Sequence, residues 1–174
     1  SGQVEITEKI YLNGCDIKRI YRPSTGTTLL ERCTSKISDS GENIALLHSW
    51  TTDTMARETS NVGTLKIHYQ LSNHLGSSSL ELDHQANLIS YEEYFPFGGT
   101  AFLAGSDTKE ISLKDYRYSR KERDNATGFY YYGYRYYVSW MGRWLNPDPI
   151  GPKDGLNVYK FVHNNPMTLT DPNG

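Results

Sequence analysis

Tyr116-Arg117-Tyr118, a polar run from Lys121 to Gly128, and then Phe129-Tyr130-Tyr131-Tyr132-Gly133-Tyr134-Arg135-Tyr136-Tyr137 decide the fold class of this chain. Eight of its 14 tyrosines fall between Tyr116 and Tyr137. A tyrosine buries a ring while its hydroxyl keeps a hydrogen bond, which suits half-exposed strands in a wall better than a dry aliphatic core. The intervening run holds Asp124-Asn125 and Gly128, residues that favour turns. The stretch therefore reads as strand, turn and tyrosine-rich strand.

Outward from it, almost every segment repeats that grammar. Val4 to Leu12 and Cys15 to Tyr21 flank Asn13-Gly14, a two-residue hairpin signal. Turn residues at Arg22 to Gly26 and Ser38 to Gly41 bracket a strand from Thr27 to Ile37, and Asn43 to Trp50 follows. Thr51 to Gly63 is polar and predicts a loose loop. Leu65 to Leu71 alternates, with Leu65, Ile67, Tyr69 and Leu71 on one face. Leu80 to Leu82 and Leu88 to Tyr94 are strands joined by Asp83 to Asn87, and Phe95-Pro96-Phe97-Gly98-Gly99 breaks the pattern. Residues 100 to 115 carry little periodicity. Helix is expected in one place only, Asn157 to His163, where Val158, Phe161 and Val162 sit at helical offsets before Asn164-Asn165-Pro166.

The expectation is an all-β strand wall with a short helical or irregular C-terminal plug. Tyr69 to Gly98 and Tyr116 to Gly151 echo each other as a degenerate repeat of roughly 30 residues, the kind that stacks strands into a solenoid or spiral. A short length of such wall leaves strand edges open and calls for neighbouring repeats or a partner.

Composition narrows the function classes. At 174 residues, one domain is expected, or at most two very small ones. With 18 basic and 20 acidic residues and a net charge of −2, nothing electrostatic selects nucleic acid or an anionic membrane as partner. No run of about 18 apolar residues predicts a spanning helix. Ser1-Gly2-Gln3 carries neither the basic nor the apolar region of a signal peptide. Cys15 and Cys33 have no metal-ligand spacing, and the expectation is two free buried thiols, with a disulfide as the alternative if they face each other on paired strands. His48, His68, His74, His84 and His163 make no metal site by spacing, and no cofactor is implied. Ser77-Ser78-Ser79 lacks the setting of a nucleophilic serine. Asn125-Ala126-Thr127 fits a glycosylation acceptor by letter alone.

Asp148-Pro149-Ile150-Gly151 and Asp171-Pro172-Asn173-Gly174 repeat one pattern. Asp, Pro and Gly at its first, second and fourth positions are type I turn preferences, so each motif reads first as a β-turn. The pair permits a sharper reading. Two carboxylates within hydrogen-bond distance share one proton, so that one can activate water while the other donates to a leaving group.

Tyr118 through Tyr137 resembles the signature of the Rhs repeat-associated core domain. The likeness continues through Gly142-Arg143-Trp144-Leu145-Asn146-Pro147-Asp148-Pro149-Ile150-Gly151 and Asp154-Gly155-Leu156-Asn157-Val158-Tyr159 to Asn164-Asn165-Pro166 and Asp171-Pro172-Asn173-Gly174. Upstream, Tyr69 to Asp83 and Ser90 to Gly98 look like the C component of bacterial insecticidal toxin complexes. The resemblance implies a hollow shell of YD repeats around a variable toxic domain, with a core domain that cuts the chain shortly after its final Asp-Pro-x-Gly motif. On that basis residues 1–115 are expected to be wall and 116–174 core. Asp148 and Asp171 are the expected catalytic pair, and Arg135 is a supporting arginine whose alternative is cation–π stacking among the tyrosines. Arg143 is a weaker candidate for the same role. The implied partners are the rest of the β-shell or a B-type subunit and an enclosed C-terminal toxin domain, and the implied location is secreted. The alternatives are a non-catalytic encapsulation segment and a surface adhesion or carbohydrate-binding module.

Overall fold

The computed structural model describes residues 3–59 and 61–174. Ser1, Gly2 and Ser60 lie outside the described residues, and the reading of the chain's start falls on the first two. The chain is built of strands and turns. In order these are β1 (Ile6–Leu12), β2 (Cys15–Arg22), β3 (Thr27–Asp39), β4 (Glu42–Asp53), β5 (Leu65–Ser72), β6 (Ser78–Leu82), β7 (Leu88–Tyr94), β8 (Thr100–Gly105), α1 (Thr108–Ser112), β9 (Glu122–Arg123), β10 (Tyr130–Tyr131), β11 (Tyr136–Val138) and β12 (Arg143–Trp144). Strands β1 to β8 follow one another in a single sheet in chain order, and β12-β11-β10-β9 form a second sheet. This is the all-β wall the sequence predicts. Among the described residues no helix is long and apolar enough to cross a membrane.

The chain divides into two compact units, each made of several segments. One takes the chain up to Gln70, with Glu81–Ile89 and Gly105–Leu113; the other takes Leu71–Leu80, Ser90–Ala104 and Lys114–Gly174.

The first unit has a polar interior. On β3, Leu30, Arg32 and Thr34 alternate inward, and across the β3–β4 pairing Arg32 lies opposite Trp50 and Thr34 opposite His48. Glu58, from the loop after β4, accepts hydrogen bonds from Lys18 Nζ at 2.6 Å, Arg32 Nη1 at 3.1 Å and Trp50 Nε1 at 3.1 Å. A buried carboxylate survives because cations and donors replace its water. The expected loose loop at Thr51 to Gly63 is partly strand and partly an ordered turn. Strand β4 runs to Asp53, whose carboxylate accepts from the backbone N–H groups of Arg57, Glu58 and Thr59, each at 2.9 Å. The alternation in β5 holds, but its polar face is the buried one: His68 and Gln70 point inward while Leu65, Tyr69 and Leu71 are exposed.

Three further expectations are corrected. Cys15 and Cys33 are joined in a disulfide with a Cα–Cα separation of 6.1 Å, because antiparallel β2–β3 pairing sets Cys33 opposite Ile17, diagonal to Cys15. Residues 100 to 115 form β8 and α1, the helix being capped by Asp107, whose side chain accepts from Lys109 N. The helix expected at Asn157 to His163 does not form. Val158 and Tyr159 carbonyls are taken by the N–H groups of Asp148 and Trp144, at 2.9 and 3.0 Å, and Val162, His163 and Asn164 have φ values of 39°, 52° and 58°. Only a short 3-10 turn remains, at Val162–Asn164.

The second unit is packed with aromatic rings. Leu75, Tyr118, Tyr130, Tyr132, Tyr137, Trp144 and Phe161 form its core, with Tyr94, Phe97 and Val162 against it. Three of the tyrosine hydroxyls are satisfied on the Phe95–Gly99 break: Tyr118 donates to Pro96 O at 3.1 Å, Tyr137 to Phe97 O at 2.8 Å and Tyr130 to Gly98 O at 3.0 Å. Three hydroxyls thus take the carbonyls of a turn that has no strand to pair with. Beside them Glu92 is fully buried and accepts from Arg117 Nη1 at 2.9 Å, Thr100 Oγ1 at 2.7 Å and Tyr94 Oη at 3.0 Å, with Lys114 Nζ at 3.2 Å. Burial would raise its carboxyl's pKa, but Arg117 and Lys114 outweigh that and hold it below the usual value.

Candidate functional site

Arg135 stands where β10 turns into β11. Tyr132 N donates to Arg135 O at 3.1 Å, closing a tight turn whose second residue, Gly133, has φ +111°. That turn aims the arginine inward, onto the face of Trp144 with the guanidinium carbon 4.2 Å from the ring centroid, while Tyr134 points to solvent. The arginine is nearly buried and its donors are divided among four oxygens. Nη1 lies 3.2 Å from Asp148 Oδ2 and 3.5 Å from Val158 O, Nη2 lies 3.8 Å from Asp171 Oδ2, and Nε donates to Gly174 O at 2.9 Å. A guanidinium can serve several acceptors in one plane, which a point charge cannot.

Both aspartates are turn residues as well. Asp148 Oδ1 accepts from Ile150 N at 2.9 Å, and Gly151 N donates to Asp148 O at 3.0 Å. Asp171 Oδ1 accepts from Asn173 N at 3.0 Å and Gly174 N at 2.7 Å. In each motif one oxygen closes the turn and the other faces Arg135, so the turn reading and the paired-acid reading describe two halves of one carboxylate. Among the described residues no hydrogen bond joins the two carboxylates. The pair shares a cation where the sequence suggested a shared proton.

The chain's last residues are held carbonyl by carbonyl. Lys121 Nζ donates to Pro172 O at 2.5 Å, Tyr134 N to Asn173 O at 3.0 Å, and Arg135 Nε to Gly174 O. Gly174 has φ +83°, and a Cβ there would lie 2.8 Å from Tyr132 Cβ and 3.2 Å from Arg135 N, so only glycine fits. The structure thus brings together Asp148, Asp171 and Arg135. It leaves out Arg143, which is exposed and lies over the Tyr159 ring at 5.3 Å. Sequence reasoning missed Lys121 and Trp144; the signal available was that both lie inside the motif run, at its polar turn and its Gly142-Arg143-Trp144 segment. Among the described residues no group of three or more His, Cys, Asp or Glu side chains could hold a metal ion.

These features define a class: an antiparallel, tyrosine-packed wall whose C-terminal turns converge on one arginine. Comparison with known proteins gives it a family. No family model matches the chain. It is 43% identical over 166 residues to toxin subunit YenC1 of Yersinia entomophaga, covering 95% of this chain and 16% of that protein. It is 54% identical over 109 residues to toxin subunit YenC2 of the same organism, covering 63% of this chain and 11% of that one. The crystal structure of TcdB2-TccC3 superposes with a TM-score of 0.87 at 39% identity, over 97% of this chain and 8% of that one. The chain is an Rhs-type segment homologous to the C components of toxin complexes, and it spans about a sixth or less of the length of the curated relatives it matches.

Proposed function

We propose that this segment is the self-processing end of a toxin-complex shell: residues 1–115 contribute wall, and residues 116–174 form a core that cuts its own chain shortly after Asp171-Pro172-Asn173-Gly174. The reading extends to a secreted complex in which the rest of the β-shell, or a B-type subunit, encloses a C-terminal toxin domain released by the cut. One observation carries the catalytic part. Arg135 reaches Asp148, Asp171 and the Gly174 carbonyl at once, so both carboxylates and the residue before the proposed cut meet on one cation.

The chemistry is hydrolysis. A water oxygen adds to the carbonyl carbon of the scissile bond while one carboxylate takes its proton. Arg135 offsets the negative charge that develops, and collapse of the tetrahedral species breaks the C–N bond as the proton passes to the leaving nitrogen. Water, acid and amine account for every atom, and no cofactor enters. The fit of the second reading, an inert encapsulation segment, lies in the Oδ1 bonds that make each aspartate a turn former.

The test is the full-length protein and its Asp148→Asn and Asp171→Asn variants, followed by intact mass. Cleavage shortly after Gly174 in the parent and none in either variant is expected. An uncleaved parent leaves the inert reading, and equal cleavage in all three rules the acid pair out.

A further inference from the structure

Asp171 lies farther from Arg135 than Asp148 does, at 3.8 Å against 3.2 Å. Its turn has a second tether on the opposite flank. Lys121 is fixed by its own backbone, its N–H donating to Tyr118 O and its carbonyl accepting from Arg117 N, both at 3.0 Å. From there the side chain runs half-buried, its ammonium 4.9 Å from the centre of the Tyr132 ring, and ends 2.5 Å from Pro172 O. Pro172 is the residue between Asp171 and the two whose N–H groups Asp171 accepts. Lys121 therefore grips the turn at its middle while Arg135 grips it at Gly174.

We infer that Lys121 is a positioning residue of the proposed self-cleaving site, holding the Asp171 turn and the Gly174 carbonyl in register with Arg135. The inference rests on the function proposed above. A half-buried cation can also do no more than tie down a loop, and charge is what separates the two roles. The groups facing the Lys121 ammonium are Asp171, Arg120 and the Tyr132 ring. Burial lowers its pKa below the ordinary 10.5, Asp171 opposes the shift and Arg120 adds to it. Loss of that proton removes the ammonium's attraction for the Pro172 carbonyl and for Asp171 together. Self-cleavage should then slow on the alkaline side, before an ordinary lysine would titrate.

The experiment uses full-length precursor from a short cell-free translation pulse, diluted into buffers from about pH 6 to about pH 10, with the cut fraction followed in time. Lys121→Met should slow cleavage about 10- to 100-fold at neutral pH and abolish the alkaline fall. Lys121→Arg, whose charge persists, should restore the rate to within about threefold and also abolish the fall. A Lys121→Met precursor that cleaves at the parental rate, or more slowly with the alkaline fall intact, overturns the positioning role. The Asp148→Asn and Asp171→Asn precursors run alongside: if they cut, or the parent does not, the self-cleaving reading itself fails and takes this one with it. If they are dead and Lys121→Met is normal, only the role of Lys121 falls.

Discussion

Arg135 shows how one residue type is selected by the number of oxygens it must serve. It donates to, or pairs with, Asp148, Asp171, Val158 O and Gly174 O from a single planar group stacked on Trp144. Lysine in its place keeps the charge but loses the fork and the flat face. Arg135→Lys should lower the unfolding free energy by about 2 kcal/mol, since charge-assisted bonds of this kind are each worth about that much. It should also reduce self-cleavage at least about tenfold, read as the uncut fraction by mass spectrometry. Full cleavage in the lysine variant would mean that charge alone suffices at this position. At this scale the sequence was informative about identity and silent about geometry. Asp148, Asp171 and Arg135 are visible in the motif run, whereas the division of each carboxylate between its turn and the arginine depends on where two segments 23 positions apart meet. Lys121 could not be singled out, because a lysine in a polar turn between strands has the same local signature whether it faces solvent or a distant carbonyl.

Elements were legible wherever polar turns punctuate an alternating pattern, and illegible where tertiary hydrogen bonds override local preference. Strands β1 to β7 follow the turn residues closely. Strand β8 and α1 are not legible in the sequence because neither alternation nor an apolar stripe marks residues 100 to 115. The apolar offsets at Asn157 to His163 misled because the carbonyls of Val158 and Tyr159 bond across the fold to Asp148 and Trp144. In β5, alternation was read correctly and its buried face turned out polar, since the partners of His68 and Gln70, Glu110 and Glu81, are carboxylates brought in from elsewhere. The Phe95–Gly99 turn offers a clean test of element-level packing. Gly98 has φ +83°, and a Cβ there would lie 2.5 Å from Tyr118 Cδ1, in the ring layer whose hydroxyls hold that turn. Gly14, in the β1–β2 hairpin, has φ +93° and nothing within 4 Å. Gly14→Ala should therefore cost only the left-handed backbone penalty, about 1 kcal/mol, and Gly98→Ala about 3 kcal/mol or more once overpacking is added. Denaturant unfolding of the two variants measures the difference. Equal costs would show that the aromatic layer yields without strain.

For the whole molecule, buried charge is distributed so that the two units should answer acid in different windows. In the first unit His48 is buried, bonded through Nδ1 to Thr34 Oγ1 and set edge-on to His68 at 4.9 Å. Burial, then the nearby charges of Arg32, His68 and Lys66, push its pKa well below 6.5. The folded state thus keeps His48 neutral while the unfolded chain takes up a proton below about 6.5, so stability falls as pH drops through that value, by about 1.4 kcal/mol per pH unit for one proton. Glu110 adds a later loss in the same unit. The His68 hydrogen bond first, then Lys66 against the cost of burial, bring its pKa to about 2 from 4.5, so its stabilisation is complete above 4.5 and disappears between there and about 2. In the second unit Glu92 has a pKa lowered from 4.5, so its stabilisation is complete above that value and is lost only as pH falls below it. Hydrogen exchange at pH 7.0 and about pH 5.5 should therefore show lost protection on β3 and β4 while the amides of β10 and β11 hold theirs. His48→Gln should flatten the response of β3 and β4, because glutamine has no proton to gain. Equal loss in both sets of strands, or an undiminished response in the glutamine variant, would place the acid-sensitive group elsewhere than the buried imidazole.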